Sequence, residues 1–277
     1  MHALIDFDIL IYSSGFASQK NLHDIFIKGV ESLGPIRTCL SKREAKAWID
    51  GDDSMYIVTR KEVEPLVNAL HSADSMIESI LKGSGGIKYT GFISGENNFR
   101  EKIATIRPYK GNRDPEAKPY WYKEIKEFLI DHRDAVVVDG MEADDAMAIR
   151  QLEELHIPEH DGDTGYANSI ICTIDKDLDQ IPGWHFNWRK KEKYWVDIDS
   201  AIRSFYLQLI SGDTVDNIQG VPGVGIIGAE KALEGFSSEK EYYEVARRLY
   251  NNDDALLENA HLLYIRKHKD DVWQPPV

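Results

Sequence analysis

The chain has 277 residues, with 33 Lys+Arg against 47 Asp+Glu, a formal charge of −14, and 42% hydrophobic residues. This excludes a disordered or fibrous protein and admits one large or two modest domains. Two cysteines, Cys39 and Cys172, exclude a disulfide framework and a cysteine-based zinc site.

In chain order, Ala3-Leu4-Ile5 reads as a buried strand ending at Asp6. Asp6 and Asp8 interrupt the apolar start, so no signal peptide is expected. No stretch reaches the ~18 apolar residues of a membrane span, and a cytoplasmic protein is expected. Ala45 to Ile49 reads as helix, and Glu62 to Leu81 carries helix-period apolar residues that stop at Gly83-Ser84-Gly85-Gly86. Ile87 to Ile93 reads as a strand. Pro108, Gly111, Pro115 and Pro119 then mark a loop before a helix from about Tyr120 to Asp131. Strand Ala135–Val138, helix Glu142–Leu155, strand Ser169–Ile174 and strand Trp184–Trp188 follow. Such alternation implies an α/β fold with a largely parallel central sheet, whose ligands sit at the carboxyl ends of the strands. From Ile198 the chain reads as all helix, broken by a Gly/Pro segment at 220–228, so a boundary is placed near residue 197.

The charge is patterned. Arg100, Lys102, Arg107, Lys110, Arg113, Lys118, Lys123 and Lys126 form one basic stretch, and Arg189-Lys190-Lys191 with Lys193 another. The acids gather at the ends of apolar runs. Asp6 ends the first strand, Glu142, Asp144 and Asp145 follow Val136–Val138, and Asp175 and Asp177 follow Ile170–Ile174. Asp213 and Asp216 follow Leu207–Ile210. Any one of these clusters alone is an ordinary helix cap or turn. Together on one sheet edge they would repel unless cations neutralise them. Oxygen-only donors select a hard ion, Mg²⁺ or Mn²⁺. Two such ions ~4 Å apart suit phosphodiester cleavage.

Gly223-Val-Gly225-Ile-Ile-Gly228 matches G-x-G-x-x-G. No strand leads into its first glycine, which argues against a dinucleotide site. A tight turn between helices with amides facing nucleic-acid phosphates is the first alternative, and a plain helix–helix corner the second. Trp184, Trp188 and Trp195 read as core or edge-strand packing, with base stacking beside Arg189–Lys191 as the alternative.

These residues resemble the bacteriophage and bacterial 5′ nuclease family of flap endonucleases and 5′→3′ exonucleases. The motifs are Asp6, Phe99-Arg100, Tyr109-Lys110-Gly111-Asn112-Arg113, Gly140-Met-Glu142-Ala-Asp144-Asp145, Thr173-Ile-Asp175-Lys-Asp177-Leu and the run from Gly212 to Gly225. They occur in family order. The resemblance implies a PIN-like nuclease domain over residues 1–197, with flanking helices and a helical arch at about 97–131. A helix-three-turn-helix DNA-binding region would occupy 198–277. Asp6, Glu142, Asp144 and Asp145 would hold one metal ion, and Asp175, Asp177, Asp213 and Asp216 the other or its waters. Lys110, with Asp144 and Asp145, would be catalytic. Arg100, Tyr109, Lys110, Arg113, Gly223 and Gly225 would contact DNA, and the carbonyls of Val221 and Val224 would hold K⁺.

Two positions depart from the family pattern. Ile93-Ser94 stands where the family has an Asp, with Asp8 or Glu96 as the nearest substitutes, and Ile227 stands where many relatives carry Lys. The resemblance implies a two-metal 5′→3′ exonuclease or flap endonuclease acting on DNA in replication or repair, in a bacterial cell or phage-infected host. RNase H-type removal of RNA primers and a non-catalytic duplex-DNA clamp are the alternatives. The partners implied are duplex DNA with a 5′ end, flap or nick, or an RNA–DNA hybrid. A single-stranded-DNA-binding protein or a polymerase is the protein partner implied, and no membrane.

Overall fold

The computed structural model describes residues 1–114, 117–156 and 166–277. Pro115 and Glu116, within the expected arch, lie outside the described residues. The chain opens with β1 (His2–Asp6), α1 (Phe7–Ala17), β2 (Gln19–Ile27) and β3 (Arg37–Cys39). Then come α2 (Lys42–Ile49), β4 (Met55–Val63), α3 (Leu66–Ser84), β5 (Lys88–Ser94), α4 (Phe99–Ile103) and α5 (Tyr122–His132). β6 (Val136–Val138) and α6 (Ala143–Glu153) precede a short pair, β7 (Leu155–His156) and β8 (Tyr166–Ala167). β9 (Ser169–Cys172), β10 (Gly183–Asn187), β11 (Glu192–Val196) and α7 (Ile198–Ser211) continue the chain. The last elements are β12 (Gly212–Asp213), β13 (Ile218–Gln219), α8 (Ile226–Ala232), α9 (Glu239–Tyr250) and α10 (Asp253–Leu263).

By their internal contacts the residues form two units. One comprises Met1–Ile9, Ile77–Ala117 and Leu129–Val277, the other Leu10–Met76 and Lys118–Phe128. The first unit holds a six-stranded sheet in the order β11-β10-β9-β1-β5-β6. Every pairing from β10 to β6 is parallel, and only β11 runs antiparallel, at the edge beside β10. β1 is buried along its whole length, which is why it reads as a bare apolar run. Leu4, Phe92, Met147, Ile171 and Leu178 form the core beneath the site. A second cluster in the same unit joins α7, α9 and α10 through Tyr206, Leu209, Val245, Leu256 and Trp273. These units do not divide at residue 197, because α7 packs on the 3₁₀ turn at Asp177–Gln180 inside one unit.

The other unit contains an antiparallel sheet, β3-β2-β4, with Ile25, Cys39 and Ala45 at its centre. The sequence does not announce it. Glu62 and Val63 belong to β4 and not to the expected helix, which starts after Pro65. Nor is the stretch after Ile198 wholly helical, since β12 pairs with β13. Gly212, at φ +74°, allows that turn, because a Cβ there would lie 2.2 Å from the Gly220 nitrogen. Among the described residues no helix is long and apolar enough to cross a membrane.

Candidate active site

Because β1, β5, β6, β9 and β10 are parallel, their carboxyl ends share one sheet edge. β1 delivers Asp6 there, the residues after β6 deliver Glu142, and those after β9 deliver Asp175 and Asp177. Glu142 caps α6, which turns Asp144 toward the same edge. β12 ends on Asp213, and the loop from it to β13 brings Asp216. A cavity of about 570 Å³ is lined by Asp144, Asp175, Asp177, Asp213 and Asp216, together with Lys110 and Arg113.

Asp6 is 2% exposed, and its carboxylate accepts the Ile9 N–H at 3.0 Å and the Thr173 hydroxyl at 2.9 Å. Burial, then the neighbouring Asp8 and Asp175, push its carboxyl up to about 7. Burial and the charges of Asp6, Asp175 and Glu142 hold Asp144 well above the usual carboxylate range. Asp177 is pushed up to about 8 by burial and by Asp175 and Asp213. Asp175 is raised by burial, with Asp216 and Asp213 adding to it, although the Asp177 N–H bond pulls it down. Each charge therefore disfavours the next.

The only cations in this cavity's lining besides Lys176 come from the segment around residue 110. Lys110 pairs with Glu142 and stands 3.7 Å from Asp216, and Arg113 donates to Asp216 at 2.6 Å. Burial pulls the Lys110 ammonium down, but Glu142 and Asp216 more than reverse it. The Tyr109 hydroxyl lies 2.9 Å from Glu142 and 2.8 Å from Asp216. It has one proton, so one of the two carboxylates accepts it at a time. Asn112 donates to the Thr214 carbonyl and Asn217 to that of Pro108, which stitches this segment to the β12–β13 loop.

Two expected site residues lie elsewhere. Arg100 is 2% exposed and makes a two-pronged pair with Asp145 at 2.6 and 2.9 Å. It also donates to the carbonyls of Leu262 and Tyr264, so its guanidinium is spent inside the protein and does not face DNA. Asp145 is fully buried and accepts the Glu142 and Arg266 N–H groups as well. Its oxygens are committed to the core, unlike those of Asp144 one residue earlier. The Glu142-x-x-Asp145 spacing of a capping box was the sequence signal for this role.

Ser94 ends β5, and its hydroxyl accepts the Ala143 N–H at 3.0 Å. The Asp8 carboxylate accepts the Ser94 N–H at 2.9 Å, which puts an acid beside Asp6 at this departure from the family pattern. Glu96 is exposed on the following loop. Thr173, bonded to Asp6 and to the Asp175 N–H, had no motif to mark it beyond a polar residue closing an apolar strand.

The donor set is all oxygen and mutually repulsive, which fits a hard divalent cation. Among the described residues no three such groups close on one point at ligand distance. The turn at 221–225 lines a separate cavity of about 520 Å³ with Arg107 and Gln219. There the Val221 carbonyl accepts the Val224 N–H at 3.0 Å, and Gly223 and Gly225 are exposed.

The sheet order and the loops at its carboxyl edge define a mixed α/β fold with a largely parallel central sheet. In particular, the chain shares its fold with the T5 D15 protein crystallised with metal ions, at a TM-score of 0.53 and 17% identity over 95% of this chain and 88% of that one. A T5 5′-exonuclease variant aligns at 0.53 and 16%, covering 95% of this chain and 86% of that one. The T5 5′-exonuclease with bound zinc aligns at 0.52 and 17%, covering 95% and 89%. No family model matches the chain. A stretch of 113 residues, 36% of the chain, is 34% identical to DNA polymerase I from Rhizobium leguminosarum. The chain spans about a tenth of that relative's length, 10%. The resemblance carried by the motifs is thus matched by the fold.

Proposed function

We propose that the chain is a divalent-metal-dependent 5′ nuclease that hydrolyses DNA phosphodiesters at or near 5′ ends. The observation that carries this reading is the convergence of Asp6, Asp144, Asp175, Asp177, Asp213 and Asp216 from separate elements, faced by Lys110 and Arg113. A binding module gains nothing from buried carboxylates that repel phosphate. Asp6, Asp8, Glu142 and Asp144 would hold one ion, with Asp8 taking the place that Ser94 leaves without an acid. Asp175, Asp177, Asp213 and Asp216 would hold the second or its waters. When bound, Mg²⁺ or Mn²⁺ supplies Lewis-acid stabilisation of phosphoryl oxygen and lowers the pKa of water.

Lys110 supplies a fixed positive charge beside the scissile phosphate, and Tyr109 and Arg113 seat the strand end. The 221–225 turn, with Gly223 and Gly225 exposed, meets the duplex backbone and, through the Val221 and Val224 carbonyls, takes K⁺. With a boundary near 197, residues 1–197 would carry most of the nuclease site and 198–277 the DNA-binding turn, the latter also lending Asp213 and Asp216 to the site. A replication or repair task in the cytoplasm of a bacterial or phage-infected cell follows from the same reading.

The test is an end-labelled 5′-flap duplex incubated with and without Mg²⁺, beside Asp144→Asn. Metal-dependent cleavage that the variant loses while still binding the duplex is the expected result, and product lengths separate exonuclease from flap cutting. Tight binding with no cleavage in Mg²⁺ or Mn²⁺ overturns it in favour of the clamp.

A further inference from the structure

The second basic cluster has no part in the site described so far. It forms the tip of the β10–β11 hairpin, where Trp188 to Lys191 make the turn. The position of that tip follows from the sheet. β10 runs parallel to β9, and β9 parallel to β1, with Phe186 opposite Cys172 and Cys172 opposite Ile5. The turn after Asn187 therefore projects from the same edge as Asp6 and Asp175. β10 stands two strands from β1, or ~10 Å at ordinary strand spacing.

The tip is built to stay charged and open. Arg189, Lys190 and Lys191 are exposed, and among the described residues no acid pairs with any of them. Lys193 behaves differently, lying 5.0 Å from the Trp184 ring and donating to the Ser84 carbonyl. Trp184 packs edge-on against Trp195 at 5.3 Å, which makes these two tryptophans the stiffening of the hairpin. The Asn187 side chain accepts the Lys190 N–H at 3.0 Å and fixes the turn. Lys191 sits at φ +57°, a conformation that favours Gly or Asn, so the turn keeps a cation at some conformational cost. Lys176, exposed on the loop after β9, lines the carboxylate cavity itself.

We propose that the β10–β11 tip, through Arg189, Lys190 and Lys191, binds the phosphate backbone of the nucleic-acid strand that reaches the carboxylate edge. This rests on the nuclease reading above. In a protein of formal charge −14, an unpaired basic tip beside an acidic cavity supplies the attraction that the cavity lacks.

The test is fluorescence anisotropy of the full chain with a labelled 5′-overhang duplex in EDTA, across a salt series. Wild type is compared with the triple variant Arg189→Ala, Lys190→Ala, Lys191→Ala and with the charge-preserving triple variant Arg189→Lys, Lys190→Arg, Lys191→Arg. Each lost phosphate contact flattens the slope of log K against log salt by ~0.9. The alanine variant is expected to lose one to three such contacts and to bind at least several-fold more weakly. The charge-preserving variant should keep the wild-type affinity and slope. If wild type binds and cleaves while the alanine variant matches its affinity and slope, the tip proposal falls and the nuclease reading stands. If wild type shows no salt-dependent binding, both fall together.

Discussion

Lys110 is tied to Asp216 twice. Its backbone N–H donates to the Asp216 carbonyl at 3.0 Å, while its ammonium stands 3.7 Å from the same residue's carboxylate. Lys110 takes a left-handed φ of 55° to do this, a conformation costly for a lysine and found most often where function imposes it. The cation is therefore placed by the backbone. Lys110→Met should lower single-turnover cleavage at saturating enzyme by ~10²-fold or more, while the Kd for the duplex changes far less. Equal losses in both would remove the catalytic role.

The neighbours Asp144 and Asp145 should separate cleanly. Asp145→Ala leaves Arg100 charged and buried without its partner, and breaking such a pair costs ~3–5 kcal/mol. Asp144→Asn removes one of several repelling charges, so stability should hold or rise while cleavage is lost. Urea midpoints of the two variants check this, and a double variant at both positions would confuse folding with chemistry.

Metal should stabilise the folded chain for the same reason. A cation that relieves the repulsion among Asp6, Asp144 and Asp175 contributes ~2.7 kcal/mol at a hundred times its Kd. Thermal unfolding with MgCl₂ against EDTA should show an upward shift that Asp144→Asn reduces. An unchanged melting temperature in both would count against metal binding at this edge.

Acid should weaken the sheet through His185. This ring is 1% exposed, its Nε2 donates to the Ile181 carbonyl at 2.8 Å, and among the described residues its Nδ1 has no hydrogen-bond partner. Burial holds it below the ordinary 6.5, against the bond to Ile181 and the charge of Asp179. The unfolded chain thus binds a proton below about pH 6.5 that the folded chain refuses. This contribution is present above 6.5 and is lost as pH falls toward the folded value, by up to ~1.4 kcal/mol per unit. The raised carboxyls of Asp6 and Asp177 act oppositely in the same window but equally in both proteins, so the urea midpoint of His185→Phe should move upward relative to that of wild type between pH 7.5 and 5.5.

The readable parts of the chain were those in which one residue's neighbours decide its role. Ile170–Cys172 and Ala3–Ile5 are buried on both faces, so their apolar runs and the acids that follow them stand out. The β3-β2-β4 sheet was hidden because β2 and β4 carry Lys20, Asn21, Arg60 and Lys61 at exposed positions, and their pairing joins residues as far apart as Gln19 and Val63. The fate of Asp145 was half legible, since the Glu142-x-x-Asp145 spacing marks a capping box but not the pairing with Arg100. Adjacent helix residues point ~100° apart, and only the tertiary fold brings Arg100 and the Arg266 backbone to one of them.

The last stretch of chain, which reads as generic helix, fastens the first half of the basic segment. Glu258 on α10 accepts the N–H groups of Thr105 and Ile106 at 2.8 and 2.7 Å, and also the Thr105 hydroxyl. Arg100 reaches the carbonyls of Leu262 and Tyr264, and Asp145 the Arg266 amide. During synthesis these anchors leave the ribosome long after the residues they hold. Nascent chains that have not yet released residues 258–266 already hold every carboxylate of the candidate site and the ties between Lys110 and Asp216, but lack the anchors on Arg100, Thr105 and Ile106. The order of translation thus leaves the start of the basic segment unfastened until those residues emerge.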